Sequence, residues 1–180
     1  MHKGILALLL VVVLTACGSS DAGLTTKDLA IQKVNDDKAV VKYGMSREAA
    51  EKVLGQGEKA GLGDSFSYSS GVRVMYRDDN VAGIYLTEES ESAYETAGGM
   101  KVGMQSDEIR KIYGDQALSD LEKNLDYAYD SDNKQFIQGT EWAKAFDDDT
   151  KIYLISVLFD GEGSADTILL TDRQMAMTFR

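Results

Sequence analysis

Two stretches of the chain carry one hydrophobic pattern at a fixed offset. "GMSREAAEKVLG" spans residues 44–55, and "GMQSDEIRKIYG" spans residues 103–114. Ala50, Val53 and Leu54 follow the period of a helix, and Ile109, Ile112 and Tyr113 repeat it 59 residues later. Ser46 is a natural N-cap, and Gln105 or Ser106 takes that place in the second copy. Met45 with Ala50, and Met104 with Ile109, stand at the two positions of a hydrophobic staple. Gly55 and Gly114 supply the residue type that ends a helix in a left-handed conformation. Helices this short do not persist alone in water, so each must dock its apolar stripe on another element.

Period-two alternation supplies the other elements. In "GVRVMYRDDNVAGIYLT", Val72, Val74 and Tyr76 share one strand face, Asp78-Asp79-Asn80 turns, and Val81–Thr87 returns. "EWAKAFDDDTKIYLISVLF" predicts the same layout: Trp142 and Phe146 on one face, a turn at Asp147-Asp148-Asp149, and a dense strand over Ile152–Phe159. "AIQKVNDDKAVVKY" predicts a hairpin turning at Asn35-Asp36-Asp37, and "MAMTFR" a closing strand with Met175, Met177 and Phe179 aligned. The second copy is longer between helix and hairpin. Leu118, Leu121 and Leu125 there are spaced for another short helix, "DYAYD" reads as a strand, and such an insertion belongs in surface loops. The pattern is helix, then β-meander, given twice. It predicts an α+β fold of two tandem units, residues 29–95 and 96–180, with helices packed on antiparallel sheet.

The first residues change the picture from a fold to an address. "MHKGILALLLVVVLTAC" has a basic start at Lys3, an apolar run from Ile5 to Leu14, then Thr15-Ala16-Cys17. The run is shorter than the roughly 20 residues that span a bilayer and has the length of a secretory core. Residues 1–16 read as a signal peptide, and Leu14-Thr15-Ala16-Cys17 resembles the bacterial lipobox, in which the cysteine is lipidated and becomes the mature N-terminus. Residues 17–28, small and polar, read as a flexible tether. Cys17 is the only cysteine, so no internal disulfide supports the domain. Without the prefix, 18 Lys+Arg stand against 30 Asp+Glu, a formal charge of −12. That balance argues against nucleic acid and against anionic lipid headgroups as partners. Membrane attachment then falls to the acyl chains, about two of which make a stable anchor. Gly18 lacks the aspartate of inner-membrane retention, so the expected place is extracytoplasmic: the outer membrane of a diderm host, or the outer face of a monoderm's only membrane.

The repeated glycine-methionine helix with its closing glycine, followed by a β-meander and preceded by a lipobox, resembles the SmpA/OmlA (BamE) lipoprotein family. Two such units in one secreted chain resemble the tandem fold of β-lactamase-inhibitor proteins. The resemblance covers residues 38–90 and 96–180. It implies an α+β domain acting by binding protein. The chain departs from both relatives, lacking the inhibitor's disulfides and being duplicated where the assembly lipoprotein is single.

Candidate chemistry is sparse. His2, the only histidine, leaves with the signal peptide and Cys17 is consumed by lipid. The mature chain therefore lacks the imidazole and thiol of Ser-His-Asp and Cys-His catalysis and of ordinary zinc sites, and no cofactor is expected. Acids cluster in turns, where solvation is the plain explanation. One metal pattern stands out: Asp130, Asp132 and Glu141 occupy positions 1, 3 and 12 of a calcium loop, but Lys134 and Gln135 fill positions 5 and 6, where glycine is required at 6. Nine tyrosines and one tryptophan are the other signal. Tyr127, Tyr129, Trp142 and Tyr153 lie in the enlarged second unit, where such residues serve either as partner-binding anchors or as sheet packing. The expectation is a non-enzymatic binding module of the cell envelope, with an envelope protein as partner. A secreted-type enzyme inhibitor or a solute-binding lipoprotein is the alternative.

Overall fold

The computed structural model describes residues 23–61 and 63–178. The expectations for Lys3, the apolar run and Cys17 lie outside the described residues. In chain order the elements are β1 (Ala30–Lys33), β2 (Asp36–Lys42), α1 (Arg47–Leu54), β3 (Glu58–Lys59), β4 (Ser65–Ser67), β5 (Val72–Arg77), β6 (Asn80–Leu86) and β7 (Tyr94–Thr96). They continue with α2 (Ser106–Tyr113), β8 (Ser119–Leu121), β9 (Asn124–Asp130), β10 (Gln135–Ile137), β11 (Ile152–Phe159), β12 (Ala165–Asp172) and α3 (Arg173–Thr178). The fold is α+β, with every strand pairing antiparallel. A three-stranded sheet runs β2-β1-β7. A nine-stranded sheet runs β10-β9-β11-β12-β6-β5-β4-β3, with β8 also paired to β9.

α1, α2 and the small sheet cover one face of the large sheet. Ala50 and Leu54 of α1, Ile109 and Tyr113 of α2, and Ile31 and Val41 of the small sheet meet Val74, Ile84, Ile155 and Ile168 of the large one. The buried aliphatic and aromatic surface there supplies the main stabilisation of the domain.

The two helices are built alike. Ser46 accepts the Ala49 N–H at 3.3 Å, and the Glu108 carboxylate takes the Gln105 N–H at 3.0 Å, so each first turn satisfies donors the helix leaves open. Gly55 and Gly114 close them at φ 88° and 82°, a region open to glycine but costly for other residues. Before α1, Gly44 N–H donates to the Val81 carbonyl and Val81 N–H to that of Met45; before α2, Gly103 N–H donates to the Ala165 carbonyl and Ala165 N–H to that of Met104. The strands that follow match too. Met75 pairs with Gly83 and Tyr76 with Val81, leaving Ala82 as an extra residue. Leu158 pairs with Thr167 and Phe159 with Ala165, leaving Asp166 as an extra residue. A β-bulge therefore sits at the same place in each hairpin. At the sheet centre β6 and β12 pair directly, with Tyr85 opposite Leu169.

Several sequence expectations fail, each for a tertiary reason. Trp142 and Phe146 do not lie on a strand: residues Gly139–Ala143 form a 3-10 helix, and β11 pairs instead with β9 and β12. The sequence reading also passed over β12, where Ile168 and Leu170 enter the main core while Leu169, on the other face, stays partly exposed. "MAMT" is helical, not a closing strand, because Asp172 Oδ1 caps it by accepting the Met175 N–H at 2.7 Å. Phe179 lies outside the described residues. Leu118, Leu121 and Leu125 make no helix; a hairpin of β8 and β9 takes their place, pointing Leu125 into the core and leaving Leu121 exposed. The stretch expected in surface loops contributes β9, an interior strand. Leu24 is buried in the main core and Gly23 lies against the Tyr129 ring, so packing begins before Leu29, inside the span expected as tether.

Candidate interaction face

The face of the large sheet away from α1 and α2 is covered only in part. At one side α3 and the segment 139–149 lie over it. Trp142 and Phe146 pack with Ala128, Ile152 and Leu154, and Met175 of α3 packs on Met75 and Ala82. Strand alternation brings a row of side chains across the rest: Asp126, Ser156, Leu169, Tyr85, Arg73 and Ser67 are successive cross-strand neighbours. None of the six is fully buried, and Arg73 is exposed. Tyr85 is packed beside Met75 and Leu169. Burial raises its hydroxyl pKa, while the Arg73 charge pulls the other way. Beyond this row Leu158 stands opposite Thr167, with 48% of its surface exposed. A cleft of about 420 Å³ opens at one margin between Ser67, Arg73, Thr87, Glu88, Glu89, Asp166 and Thr167. Another of about 300 Å³ lies at the opposite margin between Leu118, Ser119, Asp126, Gly139, Trp142 and Leu154.

Two arginines hold the covered side in place. Arg77 donates to both oxygens of the buried Asp172 carboxylate, at 2.6 and 3.2 Å, and to the Tyr43 hydroxyl at 2.9 Å. Tyr43 in turn donates to Asp172 at 2.5 Å, and burial followed by this bond drives the Tyr43 pKa up. The bond to Asp172 raises the Arg77 pKa, as a fork-to-carboxylate pairing should. Arg173 is buried and binds the Asp149 carboxylate and the carbonyls of Trp142 and Lys144. Its guanidinium lies 5.2 Å from the Trp142 ring centre and 5.0 Å from that of Phe146, within cation-π range.

The residues singled out in the sequence do not meet at this face. Tyr127, Tyr129 and Tyr153 are buried on the helix-covered side, in the main core. Tyr127 packs on Tyr113 and donates to the Gly114 carbonyl, while Tyr129 packs edge-on against Phe136. A buried ring cannot reach a partner, so these three are packing residues and the proposed aromatic binding cluster does not form. Only Trp142 is partly exposed, at the edge of the smaller cleft. Asp130 and Asp132 belong to a turn whose bonds are internal. Asp130 accepts from the backbone of Asp132 and Asn133 and from the Asn133 side chain. Burial opposes its charge, but those bonds prevail and hold its carboxyl below the usual range. Glu141 pairs instead with Lys144, which lowers its pKa. The calcium pattern is thus taken apart, and among the described residues no three or more His, Cys, Asp or Glu converge as metal ligands.

Sequence reasoning passed over Tyr85, Leu169, Leu158 and Arg73. The signal for Tyr85 was present: within Val81–Thr87 it has the parity opposite to Ile84 and Leu86, so it faces away from the core they enter. Comparison with known protein families, with curated proteins and with solved structures returns no match to this chain.

Proposed function

We propose that this chain is a lipid-anchored envelope protein that works without catalysis, by binding another protein on the open face of its large sheet. The observation that carries the reading is the central Tyr85–Leu169 pair, partly exposed in a row that includes exposed Arg73, with exposed Leu158 nearby. Tyrosine and arginine are favoured interface anchors, and a firm two-layer scaffold beneath them limits the ordering cost of association. The absence of histidine and free thiol from the mature sequence supports a binding role. Attachment through Cys17 rests on the lipobox pattern. The expected partner surface is basic around an apolar centre, because the chain is strongly acidic and Glu88, Glu89, Asp126 and Asp166 lie around the face.

The same proposal treats the domain as two tandem units. Phe66 and Tyr68 correspond to Leu125 and Tyr127 at the helix offset of 59, and Val74 corresponds to Val157 at an offset of 83. The difference is the long stretch between β9 and β11. The matched bulges and the matched bonds of Val81 and Ala165 support this correspondence. Under it Tyr85 answers to Leu169, and the two are cross-strand partners, so a twofold axis passes between them. The resemblance to SmpA/OmlA-type lipoproteins and to tandem inhibitor folds points the same way.

A photo-crosslinking amino acid at Tyr85 in the native cell tests the binding face. The expected result is a discrete protein adduct that is lost when the crosslinker is moved to exposed Lys52 on α1. No adduct from Tyr85, or equal adducts from both places, would remove the proposal. Cys17→Ala should abolish acyl labelling, and labelled palmitate on that variant would end the anchoring reading.

A further inference from the structure

We infer that the larger cleft receives a short basic amphipathic segment of the partner protein, seated there as α3 is seated on the other half of the sheet. The inference rests on the two-unit binding reading above. Met75 and Leu158 hold corresponding places, each paired just before a bulge and followed across the hairpin by the extra residue, Ala82 or Asp166. Their surroundings differ sharply. Met175 of α3 lies over Met75 and Ala82, and Met75 is only 2% exposed. Leu158 is 48% exposed. The cause is the path of the chain. After β12 it continues directly into α3, whereas after β6 it makes one tight turn at Glu88–Ser90 and leaves for β7.

The ground that α3 covers in one half is therefore open in the other, and beside Leu158, from Asp166 and Leu158's cross-strand partner Thr167 onward, opens the cleft of about 420 Å³. Its margin carries Glu88, Glu89 and Asp166 against a single cation, Arg73. All four side chains belong to exposed residues. A complementary segment brings one unbranched apolar side chain to Leu158 and Thr167, and lysine or arginine to the three carboxylates. α3 itself shows the pairing in its own seat, with Arg173 on Asp149 and Met175 on Met75 two residues apart. A second copy of this chain is a poor occupant, since two molecules of net charge −11 repel and α3 is already engaged.

The test uses the full chain and a labelled helix-forming peptide of about twelve residues, the length below which isolated helices become marginal. It carries methionine and leucine on one face and arginine on the other, and a matched peptide carries glutamate for arginine. Fluorescence anisotropy should show saturable binding of the basic peptide and at least tenfold weaker binding of the acidic one. Leu158→Asp, and Glu88→Lys with Glu89→Lys, should each weaken the basic peptide by about tenfold or more without lowering Tm, since all three positions are exposed. The charge control is Asp147→Lys with Asp148→Lys, equally exposed but outside the cleft. Undiminished binding to Leu158→Asp overturns the inference, as does an equal loss in the control, which marks diffuse charge attraction. A Leu158-dependent dimer in sedimentation also overturns it, by making a second copy the occupant. Crosslinking from Tyr85 separates the two levels. An adduct that persists undiminished in the cleft variants sinks this seat and leaves the binding face standing, whereas no adduct and no peptide binding remove both.

Discussion

The first and second halves of the domain start from nearly the same parts and end differently. α1 buries Ala50 and Leu54 where α2 buries Ile109 and Tyr113, and both leave the intervening Val53 or Ile112 only partly covered. From there the halves diverge. The first passes from Tyr68 to Val72 through a tight turn in which Tyr68 and Val72 are backbone-bonded. The second extends β9 to Asp130, adds β10 and the 139–149 segment, and returns at Ile152. Longer strands expose more apolar surface, and Ile152 and Leu154 need Trp142 and Phe146 over them. The difference teaches that strands extended past the rest of a sheet need cover of their own, which the 139–149 segment supplies here. The half without such a segment keeps an open face.

The largest test of the comparison is a pair of core truncations. Tyr127→Ala and Tyr68→Ala should each cost about 3–5 kcal/mol in chemical denaturation, since both rings are buried and both hydroxyls are hydrogen-bonded. A loss at Tyr127 below about 1 kcal/mol would break the correspondence and revive an exposed role for it.

Alkali should distinguish the two helices. Burial pushes the Tyr113 hydroxyl up to about 12, despite an opposing bond with Thr96. Unfolded tyrosine ionises near 10, so the folded state holds its proton longer. The resulting stability is complete below about pH 10 and falls as pH rises towards about 12, by about 2–3 kcal/mol. Denaturation midpoints at about pH 9 and about pH 11.5 should converge in Tyr113→Phe relative to the wild type. Leu54, at the matching place in α1, has no ionisation to lose.

Next in size is the clamp. Arg173→Met should cost about 1–3 kcal/mol, the range of hydrogen bonds to a charged group. It should also speed proteolytic cleavage within 139–149. Cleavage at the wild-type rate would show that the aromatic packing alone holds that segment. The smallest expected effect is at Ile112. Being half-buried, it should lose about 1 kcal/mol on change to Ala, below the range of about 2–5 kcal/mol for a fully buried site such as Ile109.

Legibility tracked the range of the forces involved. Ser46, Gly55 and Gly114 were readable because a cap acts on backbone groups within one turn. The turn at Asp78-Asp79 was readable because two short polar residues tolerate the positive φ found there, 50° and 60°. Trp142 and Phe146 misled because their spacing is compatible with several elements, and β12, which pairs with β11 in place of a strand at 142–146, begins only at Ala165. Met175 and Met177 misled because alternation over four residues is shared by a strand and one helical turn. Asp172, which decides for the helix, also anchors Arg77 and Tyr43 from the other half.

By itself, the sequence determined the two capped helices, the hairpins at Asn35 and Asp78, the α+β class and the acidic charge, because composition, caps, turns and periodicity are local properties. Only the tertiary structure decided which aromatics are core, that Asp130 serves its own turn, and that Tyr85, Leu169 and Leu158 share a partly open face. Those outcomes depend on which strand lies beside which and on what covers the sheet. They arise from pairings such as Tyr85 with Leu169, between residues distant in the chain whose meeting no local pattern encodes.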